Sequence, residues 1–236
     1  VEAKRNLIDS FELPLSEYIK TDGVLAEDIL CSKHKKAVAK TQARFVNRHK
    51  IEFNIPELTD LLETVEHYWF GIDNRFSGNL ELFGLNIAYG EGGLHGCIDK
   101  YIGKDLIDID VASYYPNIMK NNDLLPDTVA DKSVYYNMIS DRVELKSTNP
   151  TLANAYKVIL NSVFGKLKYR YSKLYDLDSF YNVTLTGQLL MLKLCEMLDE
   201  AGYKIVYINT DGLMIESDGT EKYKEICEKW CDMYSY

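Results

Sequence analysis

Apolar residues recur at helical spacing in several separated stretches of the chain. Ile19, Leu25, Ala26, Ile29 and Leu30 predict a helix over residues 16–33. Leu58, Leu61, Leu62 and Val65 form the stripe of a second helix over 56–68, started by Pro56, whose missing N–H costs nothing at the first helical position. Residues 134–146 and 150–164 read as two helices joined by Ser147-Thr148-Asn149-Pro150. Asn149 serves there as N-cap and Pro150 as first helical residue, which predicts a helical hairpin. A long helix over 185–201 is closed by Gly202. Ile205-Val206-Tyr207-Ile208, a turn, and Leu213-Met214-Ile215 then predict a β-hairpin. Residues 105–111 alternate toward a strand that ends in acidic residues, and four glycines within residues 90–96 mark a loop where the backbone turns tightly. No internal repeat, low-complexity run or Pro-rich linker interrupts the pattern.

With 236 residues, 46% of them hydrophobic, the chain is large enough to bury a substantial core. No stretch approaches the roughly 20 apolar residues of a membrane helix. The first residues, Val1-Glu2-Ala3-Lys4, carry neither an initiator methionine nor a signal-peptide pattern, which reads as a cut within a longer chain. Five cysteines without framework spacing fit a reducing compartment. Cys227 and Cys231 lie four apart with no second Cys/His pair nearby, so two free thiols on one helix are preferred to a zinc site.

A net charge of −9 argues at first against a nucleic-acid partner, because duplex binding relies on Lys and Arg at phosphates. The average conceals a local reversal. Between Leu145 and Tyr175 there is no Asp or Glu, whereas Lys146, Lys157, Lys166, Lys168, Arg170 and Lys173 all fall there. Such a stretch is also what a solvated face looks like. Tyr156, Phe164, Tyr169, Tyr171 and Tyr175 are interleaved with the cations, however, and that mixture suits contact with bases and phosphates.

The candidate chemistry begins with Asp110, at the end of the predicted strand, and Asp211, in the turn of the predicted hairpin. Two carboxylates from separate strands can hold hard cations, and a pair of cations can clamp the attacking and leaving oxygens of a phosphoryl transfer. An Asp beside a turn is otherwise a turn former. The helical hairpin supplies complementary groups: Arg142 and Lys146 are four apart on one helix, and Lys157 and Asn161 on the other, so each pair shares a helix face. Asn161 lies amid Val158, Ile159, Leu160 and Val163, where an amide in a helix interior needs a partner or a purpose.

These residues resemble family B DNA polymerases. Asp110 to Ile118 is similar to motif A, D-x-x-S-L-Y-P-x-I; Lys157 to Gly165 to motif B, K-x-x-x-N-S-x-Y-G; and Tyr207 to Gly212 to motif C, Y-x-D-T-D-S, in the same order and at similar separation. Arg142-x-x-x-Lys146 stands where the fingers carry a basic pair. Gly90-Glu91-Gly92-Gly93 resembles the Y-x-G-G loop of phage enzymes, and Tyr18-Ile19-Lys20-Thr21-Asp22 the third exonuclease motif, Y-x-x-x-D. The good match runs from about residue 88 to 216.

The resemblance implies an α+β fold, a polymerase palm of antiparallel sheet and packed helices with an α-helical fingers hairpin. It divides the chain into an exonuclease-like tail (1–33), a connecting region (34–89), palm with motif A (90–125), fingers with motif B (126–175) and palm with motif C (176–236), ending before the thumb. It implies that Asp110 and Asp211, with the Val111 carbonyl, bind two Mg²⁺ ions, for which Mn²⁺ can substitute. Arg142, Lys146 and Lys157 would hold the triphosphate of a deoxynucleotide with Asn161 beside them, and the backbone at Ser113 and Tyr114 would contact its phosphates. Tyr115 would lie under the deoxyribose as a gate against a 2′-hydroxyl. Gly92, Gly93, Phe164, Gly165 and Lys166 would face primer-template DNA, and Tyr18 and Asp22 would be an exonuclease remnant. The implied setting is cytoplasmic, inside a host cell for a phage-encoded enzyme, with no membrane partner.

Several positions depart from the family pattern. Asn209 replaces an Asp and Gly212 a Ser of motif C, Phe164 replaces the Tyr of motif B, and Tyr89 is one place out of register for Y-x-G-G. The first two exonuclease motifs are missing, and the 47 residues from Asp110 to Lys157 leave little room for an insertion that binds a terminal protein, which argues against protein priming. Two other readings remain. Asp108-Ile109-Asp110 is also a D-x-D pattern, as in metal-dependent glycosyltransferases. The chain could equally fold as a catalytically incomplete fragment.

Overall fold

The structure is a computed structural model that describes residues 2–103 and 105–236. It comprises two compact units, one formed by the residues up to Thr41 with Tyr115–Phe180, the other by Gln42–Tyr114 with Tyr181–Tyr236.

The first unit is helical. Helices α1 (Glu2–Ser10) and α2 (Asp22–Leu30) pack on the hairpin of α5 (Lys132–Thr148) and α6 (Pro150–Lys166), and α4 (Tyr114–Asn121) leads into it. The cap chemistry read from the sequence is realised: the Asn149 side chain accepts the Leu152 N–H at 3.1 Å and Pro150 opens α6. At the start of α5, Asp131 accepts the Ser133 N–H at 2.8 Å, and the helix begins two residues earlier than apolar spacing predicts. The helix expected over 16–33 is two elements. A 3-10 turn, Leu15–Ile19, ends at Lys20 and Thr21, both extended, before α2 starts. The Thr21 carbonyl accepts the Val24 and Leu25 N–H groups at 3.0 and 2.9 Å, so α2 starts afresh despite the apolar spacing that runs through the break. Lys20 pairs with Glu17 at 2.7 Å and with Asp28 at 2.8 Å across the break.

The second unit is built on a six-stranded antiparallel sheet in the order β3-β4-β5-β7-β8-β6, from β3 (Ser77–Leu82), β4 (Leu85–Gly90), β5 (His95–Cys97), β6 (Leu106–Asp110), β7 (Ile205–Ile208) and β8 (Gly212–Glu216). Helix α3 (Pro56–His67), the greater part of α7 (Leu177–Glu200), α8 (Lys222–Tyr234) and a two-stranded ribbon of β1 (Gln42–Ala43) and β2 (Phe70–Gly71) complete it. The hairpin β3–β4 has no counterpart in the sequence reading. Its turn is Phe83-Gly84, both at positive φ, and Phe is not a residue that signals such a turn. Helix α7 starts eight residues before the predicted position, because its first turns bury polar side chains that hide the apolar period. One of them, Asn182, is satisfied: its carbonyl accepts the Val46 N–H at 2.9 Å and Arg48 Nη1 at 2.7 Å, and its amide donates to the Arg44 carbonyl at 2.9 Å.

The mixed α/β architecture, antiparallel sheet with packed helices, agrees with the fold class expected. No helix among the described residues is long and apolar enough to cross a membrane. Cys227 and Cys231 lie one turn apart on α8, both half-buried.

Candidate functional site

Strands β6 and β8 pair from Leu106↔Glu216 to Asp110↔Gly212, and the Val111 N–H continues the ladder onto the Asp211 carbonyl at 2.9 Å. Asp110 and Asp211 therefore occupy the same end of two adjacent strands, and both are exposed. Beneath them Leu213, Ile215, Ile205 and Ile208 are buried, so the carboxylates stand on a fixed apolar base. The β7–β8 turn is closed by the Asn209 N–H donating to the Gly212 carbonyl at 2.7 Å. Asn209 also accepts the Thr210 N–H on its side-chain oxygen at 2.8 Å, the action of a turn former. A register shift at Val206, between Ile205↔Ile215 and Tyr207↔Met214, makes a bulge just ahead of this turn. Bulges re-aim the residues that follow them.

Gly212, which stands where the motif carries Ser, has a steric reason. A Cβ there would lie 2.8 Å from the Ile109 carbonyl oxygen and 3.5 Å from the Asp110 Cα. Main-chain atoms cannot swing aside as a flexible side chain would. Gly212→Ser, although it restores the motif, is expected to lower stability by roughly 1–3 kcal/mol. Gly212→Ala should show the same loss in a denaturation midpoint, and a neutral Ser variant would mean that the strands yield.

The four-glycine stretch is only partly loop. Gly90 ends β4 and Gly96 lies in β5, leaving residues 91–94 as the turn. Gln188 of α7 holds its base, accepting the Gly90 N–H at 2.9 Å and donating to the Gly90 carbonyl at 2.8 Å, while Tyr181 donates to Glu91. Gly93 has φ +106, and a Cβ on it would meet the Thr210 hydroxyl, so this turn packs directly on the hairpin that carries Asp211. Gly92 is exposed with open space around it. Tyr89, out of register with the motif, lies across Gly78 and packs on Phe76 with ring centroids 5.6 Å apart.

In the helical unit, Arg142, Lys146 and Lys157 line one cleft of about 230 Å³ with Pro150, Ala153 and Asn154, and no acidic side chain lines it. Asn161 does not join them. It is exposed, as is its neighbour Val158 at 38%, so the amide expected in the helix interior instead lies on the outward face of α6 that also carries Lys157. Asn154 takes the lining position that the spacing rule assigned to Asn161.

Ser113 has φ +52, uncommon for a residue with a side chain, just before α4 begins. Tyr114 is buried, donates its hydroxyl to the Gly187 carbonyl at 2.7 Å and packs against Trp230 and Tyr236. The Tyr114 side chain is thus committed to the core. The Tyr115 ring meets Phe164 at 4.4 Å between centroids, and Phe164 stacks on Phe180 at 5.5 Å. Gly165 is exposed with open space beside it.

Lys166 is turned back onto α2, 3.5 Å from Glu27 and against Gly23. Lys173 lies 3.5 Å from Asp28. The basic stretch is thus acid-free along the chain but not in space, because α2 brings two carboxylates to it. Tyr18 lies in the 3-10 turn, with Lys4 Nζ 5.9 Å from its ring centroid, and Asp22, exposed, opens α2 at 3.9 Å from Lys4. The sequence reading missed Thr210, Gln188 and Tyr181 as supports. Only Gln188 leaves a signal, as a lone amide inside the apolar run that follows Leu185.

No family model matches the chain. It is 24% identical over 153 residues to DNA polymerase 2 of Saccharolobus solfataricus, covering 57% of this chain and 24% of that protein. It is 24% identical over 182 residues to DNA polymerase 1 of Pyrococcus abyssi, covering 62% and 24%. The chain therefore spans about a quarter of the length of the curated relatives it matches. Among solved structures, the family B DNA polymerase of the hyperthermophilic archaeon Pyrobaculum calidifontis aligns with a TM-score of 0.44 and 18% identity, over 67% of this chain and 25% of that one. The chain is similar, at low identity, to archaeal DNA polymerases.

Proposed function

We propose that this chain is the palm and fingers part of a phage-type family B DNA polymerase, adding deoxynucleotides to a primer 3′-hydroxyl on a DNA template. The observation that carries the reading is the pairing of β6 with β8, which sets Asp110 and Asp211 at one end of adjacent strands. Similarity to archaeal DNA polymerases supports it. Two exposed carboxylates suit Mg²⁺, or Mn²⁺ in its place, since such sites use one or two carboxylates and complete the shell with water and substrate phosphate oxygens. Among the described residues no group of three or more His, Cys, Asp and Glu is gathered, so the Val111 carbonyl and the substrate would supply the rest. Bound metal would neutralise charge on the transferring phosphate. Arg142, Lys146 and Lys157 bind the triphosphate in their acid-free cleft, and the backbone at Ser113 and Tyr114 contacts its phosphates. Phe164, Gly165, Gly92 and Gly93 face primer-template, Tyr18 and Asp22 are an exonuclease remnant, and the enzyme works in the cytoplasm from a primer without terminal protein. A glycosyltransferase reading of Asp108 and Asp110 leaves the cationic cleft without a role.

Tyr115 provides the test. Its ring rests on Phe164, and on this reading a 2′-hydroxyl of the incoming nucleotide would clash with it. Tyr115→Ala in the natural full-length protein should raise ribonucleotide use relative to deoxynucleotide use by roughly ten- to a hundredfold in primer extension. An unchanged ratio with a lowered melting temperature would make the ring a support for Phe164 alone, and turnover of a nucleotide sugar without template would replace the polymerase reading.

A further inference from the structure

We propose that Tyr169 and Tyr171 form a stacking platform for the bases of single-stranded DNA. They stand on the turn that follows α6, and that turn is not slack. The Asp176 N–H donates to the Leu167 carbonyl at 2.9 Å, joining its two ends, and the Ser172 N–H donates to the Tyr169 carbonyl at 2.8 Å. Leu167, Leu174 and Tyr175 are buried, and Ser172, also buried, donates to Glu27 at 2.6 Å. A segment anchored this firmly nevertheless leaves its two other tyrosines outside, Tyr169 at 52% and Tyr171 at 75% exposure. Their rings meet edge to face at 5.6 Å. Lys166 lies 5.2 Å from the Tyr169 ring centroid and the Arg170 guanidinium 5.3 Å from that of Tyr171.

Exposed rings held by a rigid turn beside cations suit a strand whose bases are free to stack while its phosphates meet positive charge. Lys168 and Arg170 flank the rings within the acid-free stretch. Glu27 engages Lys166, and Lys168 lies over the Phe180 ring, which makes the Arg170 guanidinium the principal phosphate contact. A duplex offers stacked bases that such rings cannot enter, so the single strand is the favoured partner. The choice of DNA rests on the polymerase reading above, whereas the stacking does not depend on catalysis.

The test is fluorescence anisotropy at low salt, with a labelled oligothymidylate of about 15 nucleotides, a length within reach of such sites, and a duplex of the same length. Tyr169→Ala and Tyr171→Ala should each weaken single-strand binding by roughly tenfold, Tyr→Phe at either position should preserve it, and duplex binding should not change. No single-strand binding by the unaltered chain, unchanged binding by the Ala variants, an equal loss on duplex, or a loss as large for Phe as for Ala would each overturn the proposal. A natural protein that binds the single strand in this way yet extends no primer would sink the catalytic reading and leave this one standing.

Discussion

Asp110→Ala or Asp211→Ala, made in the natural full-length protein, is expected to lower kcat/KM for single-nucleotide primer extension by roughly a thousandfold or more, while Asn209→Ala lowers it less than about tenfold. The first two remove a carboxylate from the strand ends where charge on a transferring phosphate would have to be neutralised. Both are exposed, so neither truncation opens a cavity, and any fall in melting temperature should be small beside the loss of activity. Asn209 differs because its side-chain oxygen is already committed to the Thr210 N–H. Its loss costs the turn one hydrogen bond, about 0.5–1.5 kcal/mol. Equal losses at all three positions would show that Asn209 is a ligand and that its turn geometry rearranges on metal binding.

The second large effect concerns stability. Glu196 is fully buried on α7, where Oε1 accepts the N–H groups of Asn54 and Ile55 at 2.7 and 2.9 Å and Oε2 pairs with Lys193 at 2.6 Å. It thus caps the start of α3 from another element, placing negative charge where the helix dipole favours it. Glu196→Ala strands two donors and a half-buried ammonium together, and a loss of about 3–5 kcal/mol is expected. Glu196→Gln keeps an acceptor for the N–H groups and should lose distinctly less. Urea denaturation followed by tryptophan fluorescence reads both, since Trp230 is buried in the same unit, and a loss below about 1 kcal/mol for Ala would refute the capping role.

What the sequence discloses and what it withholds divide along physical lines. The helical hairpin was legible because Asn149 and Pro150 act through their own backbone neighbours, and the ends of β6 and β8 because their alternation is local. Arg142, Lys146 and Lys157 could be grouped because helical spacing and a four-residue link leave few ways to place them. Asn161 shares the exposed face of Lys157, as that spacing requires, but does not line its cleft: periodicity gives the angle around a helix, not how far a cleft extends along it. Glu196 and Thr210 were illegible because their partners lie on other elements, and no local pattern announces a carboxylate that caps a helix about 140 residues away in the chain. Gly212 appeared as a departure from a motif, and only the Ile109 carbonyl explains it.

The strand order also bears on how the chain acquires its shape. β5 finds β7, and β6 finds β8, only after roughly a hundred intervening residues, so loop closure must precede any gain from those pairings. During synthesis β3, β4 and β5 can already form a meander, yet its inner edge stays open until β7 emerges, and β6 waits unpaired until β8 follows. Two growing chains on neighbouring ribosomes would present each other with the same bare edge. The carboxylates at the ends of β6 and β8 come together at the close of that interval, so a molecule that has ordered Asp110 beside Asp211 has already passed its most aggregation-prone stage.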